Sequence, residues 1–294
     1  MRTGAVILNP FQIPGETLHQ AERLKDEFNK LGVSVDIITD LFLRTVLSGD
    51  TLNCDLSGYD FAIYLDKDKY QSEILQKLGL RIFNTHEAVR VCDDKACTYI
   101  ALSQKDIVMP KTVFGALCYF SDLAVKDEWA DEIISKLGLP VIVKESFGSM
   151  GKGVHLAKNK AELLALMDTV KLRPHIFQEY IGEKQGVDVR VIVIGGKVKC
   201  AMKRINKGDF RSNIAQGGLG EKIELDINFI ETAEKCAKVL GLDYCGVDLL
   251  FGKNGQPIVC EVNSNAFFSG IESATGYNVA KAYAQHVINV IYNK

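Results

Sequence analysis

Apolar runs of strand length alternate with amphipathic segments over the first ninety residues. Gly4–Asn9 and Val33–Ile38 are short apolar runs typical of buried strands. Between them, apolar side chains recur at helical spacing, and these are Leu18, Ala21, Leu24, Phe28 and Leu31. The alternation continues with a strand at Phe61–Leu65, a helix around Glu73–Leu78 and a strand at Arg81–Phe83. We therefore predict an open α/β domain over residues 1–90.

The pattern changes in the remaining two-thirds of the chain. Helices are expected at Asp94–Ser103 and Asp127–Leu137, with one strand after Pro110 and another at Pro140–Lys144. From His155 onward strands dominate, and only two helices are expected, at Asn228–Leu240 and Asn278–Tyr292. The fold class is thus α/β, with α+β character towards the C terminus.

Composition narrows the range of partners. The 294 residues carry 35 basic and 37 acidic side chains, a net charge of −2, which argues against nucleic acid or an anionic membrane as a partner. The chain shows no signal-peptide cleavage site and no apolar stretch of membrane-spanning length, so a cytoplasmic location is expected. Its eight cysteines form no C-x-x-C pair and are interpreted as free, buried thiols. The five histidines lack zinc-ligand spacing.

A glycine-rich segment follows the strand that ends at Lys144. The segment VIVKESFGSMGKGV, Val141–Val154, combines glycines with small hydroxyls, which lets backbone N–H groups approach phosphate oxygens. It is not a Walker loop, because Lys152 is followed by Gly153 and a strand-like run. The alternative is a glycine-rich hairpin loop that binds no ligand.

The segment Gly246–Asn265 is predicted to be a hairpin that brings two carboxylates together. A two-residue turn at Asn254-Gly255 would place Asp248 directly opposite Glu261, with Asn263 on the same face. Opposed like charges are destabilising unless compensated, and two carboxylates with an amide oxygen are hard ligands suited to Mg²⁺. Alternating neighbours, Cys260 among them, would then face the core. The alternative is that both carboxylates are solvated or bound to arginine.

Two other segments carry candidate polar groups. Gln178–Gly182 leaves a strand and would expose backbone groups suited to an adenine edge, although a plain strand terminus is the simpler interpretation. A hairpin turning at Gly195-Gly196 would place Asp188 opposite Lys203. In that register Arg190 and Arg204 face opposite sides, so either a bulge intervenes or only one of them meets substrate. Lys203 and Arg211 add positive charge, which a solvated hairpin face would also explain.

Taken in order, these elements resemble the ATP-grasp superfamily, and closely its RimK-like branch of glutamate-adding ligases. The resemblance spans about 94–292 and rests on DDKA around Lys95, VIVKESFGSMGKGV, QEYI, GDFRSN and GVDLL…CEVN, followed by GIE at Gly270–Glu272. It implies an ATP-grasp fold preceded by an N-terminal pre-ATP-grasp domain, residues 1–90. A central subdomain with a glycine-rich lid would span 91–186, and a C-terminal subdomain with the metal site 187–294.

The resemblance also implies roles for individual residues. ATP would be bound through its phosphates, adenine and ribose by Lys95, Lys144, Ser146, Ser149, Gly151, Gln178, Glu179, Tyr180, Ile181, Asp188, Arg211, Ser212 and Asn213. Two Mg²⁺ ions, for which Mn²⁺ could substitute, would be coordinated by Asp248, Glu261 and Asn263. The catalytic residues would be Arg190 and Arg204, one of which steadies the tetrahedral oxyanion.

The implied reaction is ATP-dependent ligation of a carboxylate to an amine through an acyl phosphate. The partners would be ATP, an amino acid such as glutamate and a carboxylate-bearing acceptor, either a small molecule or a peptide tail, and a homodimer or homotetramer is expected. Phe267 and Phe268 stand where the branch usually has small residues and proline, which leaves the acceptor open. The rivals are a dipeptide-type ligase resembling D-alanine–D-alanine ligases, a non-catalytic ATP-binding regulatory module, and a phosphotransferase, for which only His155 lies near the site.

Overall fold

A four-stranded parallel sheet in the order β2-β1-β5-β6 forms the N-terminal part of the computed structural model, which describes residues 2–12, 15–56, 58–212 and 218–292. The strands of this part are β1 (Thr3–Ile7), β2 (Ser34–Ile38), β3 (Thr45–Ser48), β4 (Thr51–Cys54), β5 (Phe61–Tyr64) and β6 (Arg81–Phe83). Its helices are α1 (Glu16–Lys30), α2 (Lys69–Lys77) and α3 (His86–Asp93). The predicted strand–helix alternation is confirmed, whereas the β3–β4 hairpin and α3 were not anticipated.

The central sheet is antiparallel, with the order β7-β10-β8-β9. Its strands are β7 (Thr112–Phe114), β8 (Val141–Glu145), β9 (Val154–Ala157) and β10 (His175–Glu179). The helices of this region are α4 (Lys95–Leu102), α5 (Asp127–Leu137) and α6 (Lys160–Val170). Helices α5 and α6 bury Ala130, Ile133 and Leu163 against the sheet, so its other face is left for the site.

The C-terminal sheet is also antiparallel, with the order β13-β12-β11-β14-β15. Its strands are β11 (Val187–Ile194), β12 (Lys197–Ile205), β13 (Leu219–Lys222), β14 (Tyr244–Phe251) and β15 (Pro257–Asn263). The last helices are α7 (Ile227–Val239), α8 (Ser269–Thr275) and α9 (Val279–Tyr292). Helix α7 packs on one face of this sheet, and α9 joins the other face to α1 of the N-terminal part in a shared core.

The expectation of only two helices after His155 is wrong, because the described residues also include α6 and α8. Helix α6 carried a readable start signal. The side chain of Asn159 accepts a hydrogen bond from the backbone nitrogen of Glu162 at 2.9 Å, as in an N-terminal capping motif. Helix α8 spans only 7 residues, which is too short for a periodic pattern to indicate it.

The cysteines and the helices bear on two expectations from composition. All eight cysteines are free, as predicted, but only Cys92, Cys236 and Cys245 are fully buried. Across the described ranges, no helix combines the length and apolar character that a bilayer crossing requires.

Candidate active site

A cleft of about 840 Å³ lies between the central and C-terminal sheets, and most of the predicted site residues line it. These are Lys95, Lys144, Ser149, Gly151, Gln178, Glu179, Tyr180, Ile181, Asp188, Arg204, Arg211, Ser212, Asp248 and Glu261. Ser146 is fully buried and is not among the lining residues. Asn213 lies outside the described residues. The fold thus brings together segments that are up to 166 positions apart, from Lys95 to Glu261.

Two lysines converge on the cleft from different elements. Lys95 begins α4, and its Nζ donates to the carbonyl of Gly148 at 2.8 Å and lies 3.6 Å from Oε1 of Glu261. Burial lowers the pKa of Lys95, and the nearby charge of Glu261 opposes that effect. The buried Nζ of Lys144, near the end of β8, lies 3.9 Å from Sγ of Cys260. Two enclosed ammonium groups are a fitting counter-charge for phosphate.

The glycine-rich loop joins β8 to β9 and follows a left-handed path. Its φ angles are 120° at Gly148, 58° at Met150, 75° at Gly151 and 71° at Gly153, and only glycine adopts such values readily. Arg211 holds the loop from the opposite side, since its Nη1 donates to the carbonyl of Gly151 at 3.0 Å. The loop is therefore attached to both walls of the cleft, which suits a cover over a bound group.

The end of β10 is fixed by its own side chains. Nε2 of Gln178 donates to Oγ1 of Thr112 at 2.8 Å, and the carboxylate of Glu179 accepts from the backbone nitrogen of Lys111 at 2.8 Å. Beyond these two residues the chain leaves the sheet, and Tyr180 and Ile181 line the cleft. This geometry agrees with a strand terminus that presents backbone groups to a ligand.

The β11–β12 hairpin contains the bulge that the sequence left open. The turn at Gly195-Gly196 forms as predicted, because Ile194 pairs with Lys197. The register shifts between Ile192 and Val193, and one extra residue in β12 results. The predicted pairing of Asp188 with Lys203 is therefore wrong, since Asp188 lies opposite Arg204. As a consequence Arg190 and Arg204 share a face.

The β14–β15 hairpin reaches the predicted register by a different route. The predicted two-residue turn at Asn254-Gly255 is wrong, because Gly252 donates to the carbonyl of Gln256 at 2.8 Å and the turn has three residues, Lys253–Gly255. An offset at Cys260 compensates, so that Asp248 lies opposite Glu261 as predicted. The prediction that Cys260 faces the core is wrong, because the bulge turns both Cys260 and Glu261 towards the cleft.

Asp248 is the centre of a buried charge network. One of its oxygens accepts from Nε of Arg190 at 2.8 Å, and the other from Nη2 at 2.7 Å. Nη2 of Arg204 lies 2.9 Å from Asp248, and the same guanidinium makes a two-point contact with Asp188. Burial raises the pKa of Asp248, but the two guanidinium groups outweigh it and hold that pKa below its usual range.

The candidate magnesium ligands therefore differ in the contacts that each already makes within the protein. Asp248 is bound to arginine, which is the alternative stated for the hairpin carboxylates. Glu261 has only the longer contact with Lys95, and the amide nitrogen of Asn263 is buried without a hydrogen-bond partner within the described ranges. Two carboxylates and the amide oxygen of Asn263 would fit a hard cation that shares phosphate oxygens, whereas the buried amide nitrogen is a donor and cannot bind one. In the described part of the chain, no three His, Cys, Asp or Glu side chains form a metal-binding group.

A second pocket of about 1200 Å³ adjoins the cleft and shares Ser149, Arg204 and Glu261 with it. Arg190 and Asn263 line this second pocket rather than the cleft. Its other walls include Met150 of the glycine-rich loop and Phe267, which the sequence had connected with the acceptor. Asp66, Lys67 and Met202 also line it and were missed by sequence reasoning. Asp66 and Lys67 lie in the N-terminal part, where no motif marked a site. Their position after the carboxyl end of a predicted parallel strand, where open α/β sheets usually bind ligands, could have indicated them.

Sequence comparisons connect this arrangement to known proteins. The family model of the RimK-like ATP-grasp domain matches residues 92–287. A probable alpha-L-glutamate ligase 2 of Pseudoalteromonas atlantica is 33% identical over 299 residues, covering 93% of this chain and 92% of that protein. N-acetylaspartylglutamate synthase A of Homo sapiens is 32% identical over 236 residues, covering 79% of this chain and 59% of that protein.

Solved structures with low sequence identity share the fold. D-alanine–D-alanine ligase of Bacillus anthracis complexed with ATP has a TM-score of 0.73 at 20% identity, covering 100% of this chain and 98% of that chain. The ATP-grasp ligase PsnB, complexed with a phosphomimetic variant of its minimal precursor, Mg and ADP, has a TM-score of 0.68 at 17% identity, with 98% of each chain covered. At these identities the likeness establishes the architecture alone.

Proposed function

Since this chain belongs to the RimK-like ATP-grasp family of carboxylate–amine ligases, we propose that it joins L-glutamate to a small carboxylate-bearing acceptor. The observation that carries the proposal is the continuity of the cleft with the second pocket. Lys95 and Lys144 lie on the cleft side, and Arg190 on the other. A triphosphate on one side and two organic substrates on the other would meet beside Arg204 and Glu261, which line both spaces.

ATP is proposed to bind in the cleft with its phosphates between the two lysines and the glycine-rich loop. The backbone of Tyr180 and Ile181, where the chain leaves β10, would bind the adenine edge. Asp188 would approach the ribose while remaining bound to Arg204. Arg211, which already contacts the loop, would join loop closure to phosphate binding.

In the first chemical step, a carboxylate oxygen of the acceptor attacks the γ-phosphorus of ATP, the bond to the β–γ bridging oxygen breaks, and ADP leaves. Lys95 and Lys144 would stabilise the charge that develops on the transferred phosphoryl group and on the β-phosphate of the departing ADP. In the second step, the deprotonated amine nitrogen attacks the acyl carbon, the C–O bond to phosphate breaks, and the proton released from the nitrogen leaves with inorganic phosphate. Arg190, which lines the second pocket, would stabilise the tetrahedral oxyanion.

Magnesium is proposed as the accompanying cation, held by Glu261, Asn263 and Asp248. It would neutralise phosphate charge and polarise the γ-phosphoryl group. The solved PsnB complex containing Mg and ADP supports the choice of ion. Binding of two ions, replacement by Mn²⁺, a homodimer or homotetramer, and a cytoplasmic location are parts of the same proposal, the last supported by the eight free cysteines.

The relatives suggest which substrates to try first. One relative is named a probable alpha-L-glutamate ligase, and another an N-acetylaspartylglutamate synthase. Both names contain glutamate, and the second also names an acylated amino diacid. For this chain we therefore propose glutamate as the amine and a short, multiply charged carboxylate as the acceptor. The fold shared with a D-alanine–D-alanine ligase does not favour the dipeptide-type rival, because fold alone does not set the substrate.

The test is an ADP-release screen with MgATP across amino acids and carboxylates, starting with L-glutamate and N-acetyl-L-aspartate. We expect ADP release that requires both organic substrates and yields one amide bond for each ADP. Lys144→Met should reduce the rate at least about a hundredfold, because a buried phosphate counter-charge is lost. The exposed Lys199→Met is the matched control and should behave as wild type. Catalytic silence with every pair would support the regulatory module instead.

A further inference from the structure

We propose that Asp66 binds the ammonium group of the amine substrate, so that the N-terminal sheet contributes an amine subsite to the second pocket. This inference rests on the proposed ligase function, because it assigns one of the two organic substrates to a wall of that pocket. Asp66 and Lys67 follow β5 and line the pocket opposite residues of the C-terminal sheet.

The topology of the N-terminal sheet places Asp66 where open α/β sheets bind ligands. Strand β1 lies between β2 and β5, so the chain turns to opposite sides of β1 as it continues. Asn9 and Asp66 follow the carboxyl ends of β1 and β5, the two strands between which the direction of winding changes. The crevice outside such a point is the usual ligand position in sheets of this kind. Here that crevice opens into the second pocket.

The surroundings of Asp66 leave its charge uncompensated. Its two oxygens accept from Nδ2 of Asn9 at 3.3 and 3.2 Å, and one of them also accepts from the backbone nitrogen of Lys67 at 2.7 Å. Within the described ranges, no lysine, arginine or histidine forms an ion pair with Asp66. The nearby ammonium of Lys67 lies 3.4 Å from Asp93 instead. Burial raises the pKa of the Asp66 carboxyl, as expected for a carboxylate without a cation.

Charge is unevenly distributed around the second pocket. The N-terminal wall carries the carboxylates of Glu16 and Asp66 and the ammonium of Lys67, which pairs with Asp93. The wall formed by the C-terminal sheet carries Arg190, Arg204 and Glu261. Between them lie apolar side chains such as Met202 and Phe267. An ammonium group fits beside a carboxylate of the N-terminal wall that lacks a cation, whereas Arg190 and Arg204 are already bound to Asp248 and Asp188. The nitrogen would lose its proton before it attacks the acyl carbon. Asp66 is the stronger candidate of the two, because Glu16 is exposed and accepts a hydrogen bond from Ser269.

The test compares Asp66→Asn with wild type and with the control Asp36→Asn. Asparagine keeps an oxygen that can accept from Asn9 but removes the charge. Asp36 lies on β2 and accepts from the hydroxyl of Tyr59, outside the second pocket, so the control removes the same charge from the same sheet. Steady-state rates would be measured with MgATP and N-acetyl-L-aspartate while L-glutamate, or the amine found by the screen, is varied.

We expect Asp66→Asn to raise the KM for the amine at least about tenfold, because a charge-assisted hydrogen bond is lost. The KM values for ATP and for the carboxylate should change less than about threefold, and Asp36→Asn should match wild type. Asp66→Glu keeps the charge on a longer side chain and should restore part of the affinity. Thermal denaturation of each variant would show that the fold is kept.

Two results would overturn the assignment. One is an unchanged KM for the amine in folded Asp66→Asn. The other is an equal rise in the KM for all three substrates, which indicates a structural role for Asp66. These outcomes are distinct from a failure of the ligase proposal, in which wild type itself releases no ADP with any amine and carboxylate pair.

Discussion

Arg204 is the most enclosed cation of the site, with only 2% of its surface exposed between Asp188 and Asp248. A guanidinium is suited to this position, since its planar fork can bond two carboxylates at once. The neighbouring Lys203 points to the opposite face of β12 and pairs with Glu221 at the surface. We therefore expect Arg204 to contribute more to the free energy of unfolding than its neighbour Lys203.

Replacing Arg204 with methionine should lower the free energy of unfolding by about 3–5 kcal/mol, because the buried Asp188 loses its counter-charge and Asp248 keeps only Arg190. Lys203→Met is the matched control, and as the loss of a surface pair it should cost less than about 1 kcal/mol. Urea denaturation followed by circular dichroism would measure both. Equal losses in the two variants would contradict this account of the network.

The low pKa of Asp248 predicts an acid-dependent part of the stability. In the unfolded chain the carboxyl titrates near its usual value of about 4, whereas the two arginines hold it ionised to lower pH in the fold. Its contribution is therefore complete above about pH 5 and is lost as the pH falls through the lower, folded-state pKa. Asp248→Asn should show a smaller difference in urea midpoint between pH 6 and pH 3 than wild type does.

At the scale of elements, the glycine-rich loop depends on backbone conformation more than on side-chain chemistry. Gly148 has a φ of 120°, in a region that side-chain-bearing residues rarely adopt. Its neighbours leave room for a Cβ, because the nearest heavy atom is the carbonyl oxygen of Lys152 at 3.4 Å. A substitution there tests the path of the loop without creating a serious clash.

Gly148→Ala should raise the KM for ATP about tenfold, since strain of about 1–3 kcal/mol is imposed where the loop meets phosphate. Gly79→Ala is the control, because Gly79 also has a positive φ, 83°, with open space around it, but lies after α2. It should lower the unfolding temperature without changing the KM for ATP. Similar KM values for ATP in the two variants would show that the loop does not contribute to ATP binding.

The β11–β12 bulge predicts which single-residue deletions the hairpin tolerates. Lys199 is the unpaired residue, because Ile192 pairs with Cys200 and Val193 with Val198. Deleting Lys199 should remove the bulge while leaving Asp188 opposite Arg204, so ADP release should stay within about tenfold of wild type. Deleting Val193 from β11 would instead leave two residues of β12 unpaired and should abolish ADP release. Loss of activity on deleting Lys199 would show that the bulge itself is required.

These hairpins also show what the sequence could and could not predict. Turn residues correctly placed Gly195-Gly196 at a turn. Asp248 lies opposite Glu261 as predicted, but only because the bulge at Cys260 offsets a turn one residue longer than predicted. Counting pairs from the turn could not reveal an extra residue within a strand, because a bulge changes neither composition nor turn signals. The face of the sheet on which Arg204 and Cys260 lie could therefore be determined only from the structure.

At the scale of the whole molecule, the main elements and most of the residues that line the cleft could be predicted, whereas the second pocket could not. Its walls come from all parts of the chain, including Asp66, Met150 and Phe267. No motif marked Asp66, and only packing of the N-terminal part against the C-terminal sheet brings it into one pocket with Met150 and Phe267. The role of each predicted site residue stays a prediction until the substitutions above are measured.

The two guanidinium groups bound to Asp248 also bear on the order in which ligands are added. A free divalent cation has to compete with Arg190 and Arg204 for that carboxylate, whereas a cation arriving with its nucleotide brings phosphate oxygens that offer the arginines another anion. We therefore expect calorimetric titration with MgCl₂ alone to give little heat at millimolar concentration, and titration with the magnesium–nucleotide complex to give a clear isotherm. A saturable response to the bare salt would mean that the carboxylate is released more easily than its contacts suggest. If the expected result is obtained, the cation binds together with the nucleotide and not before it.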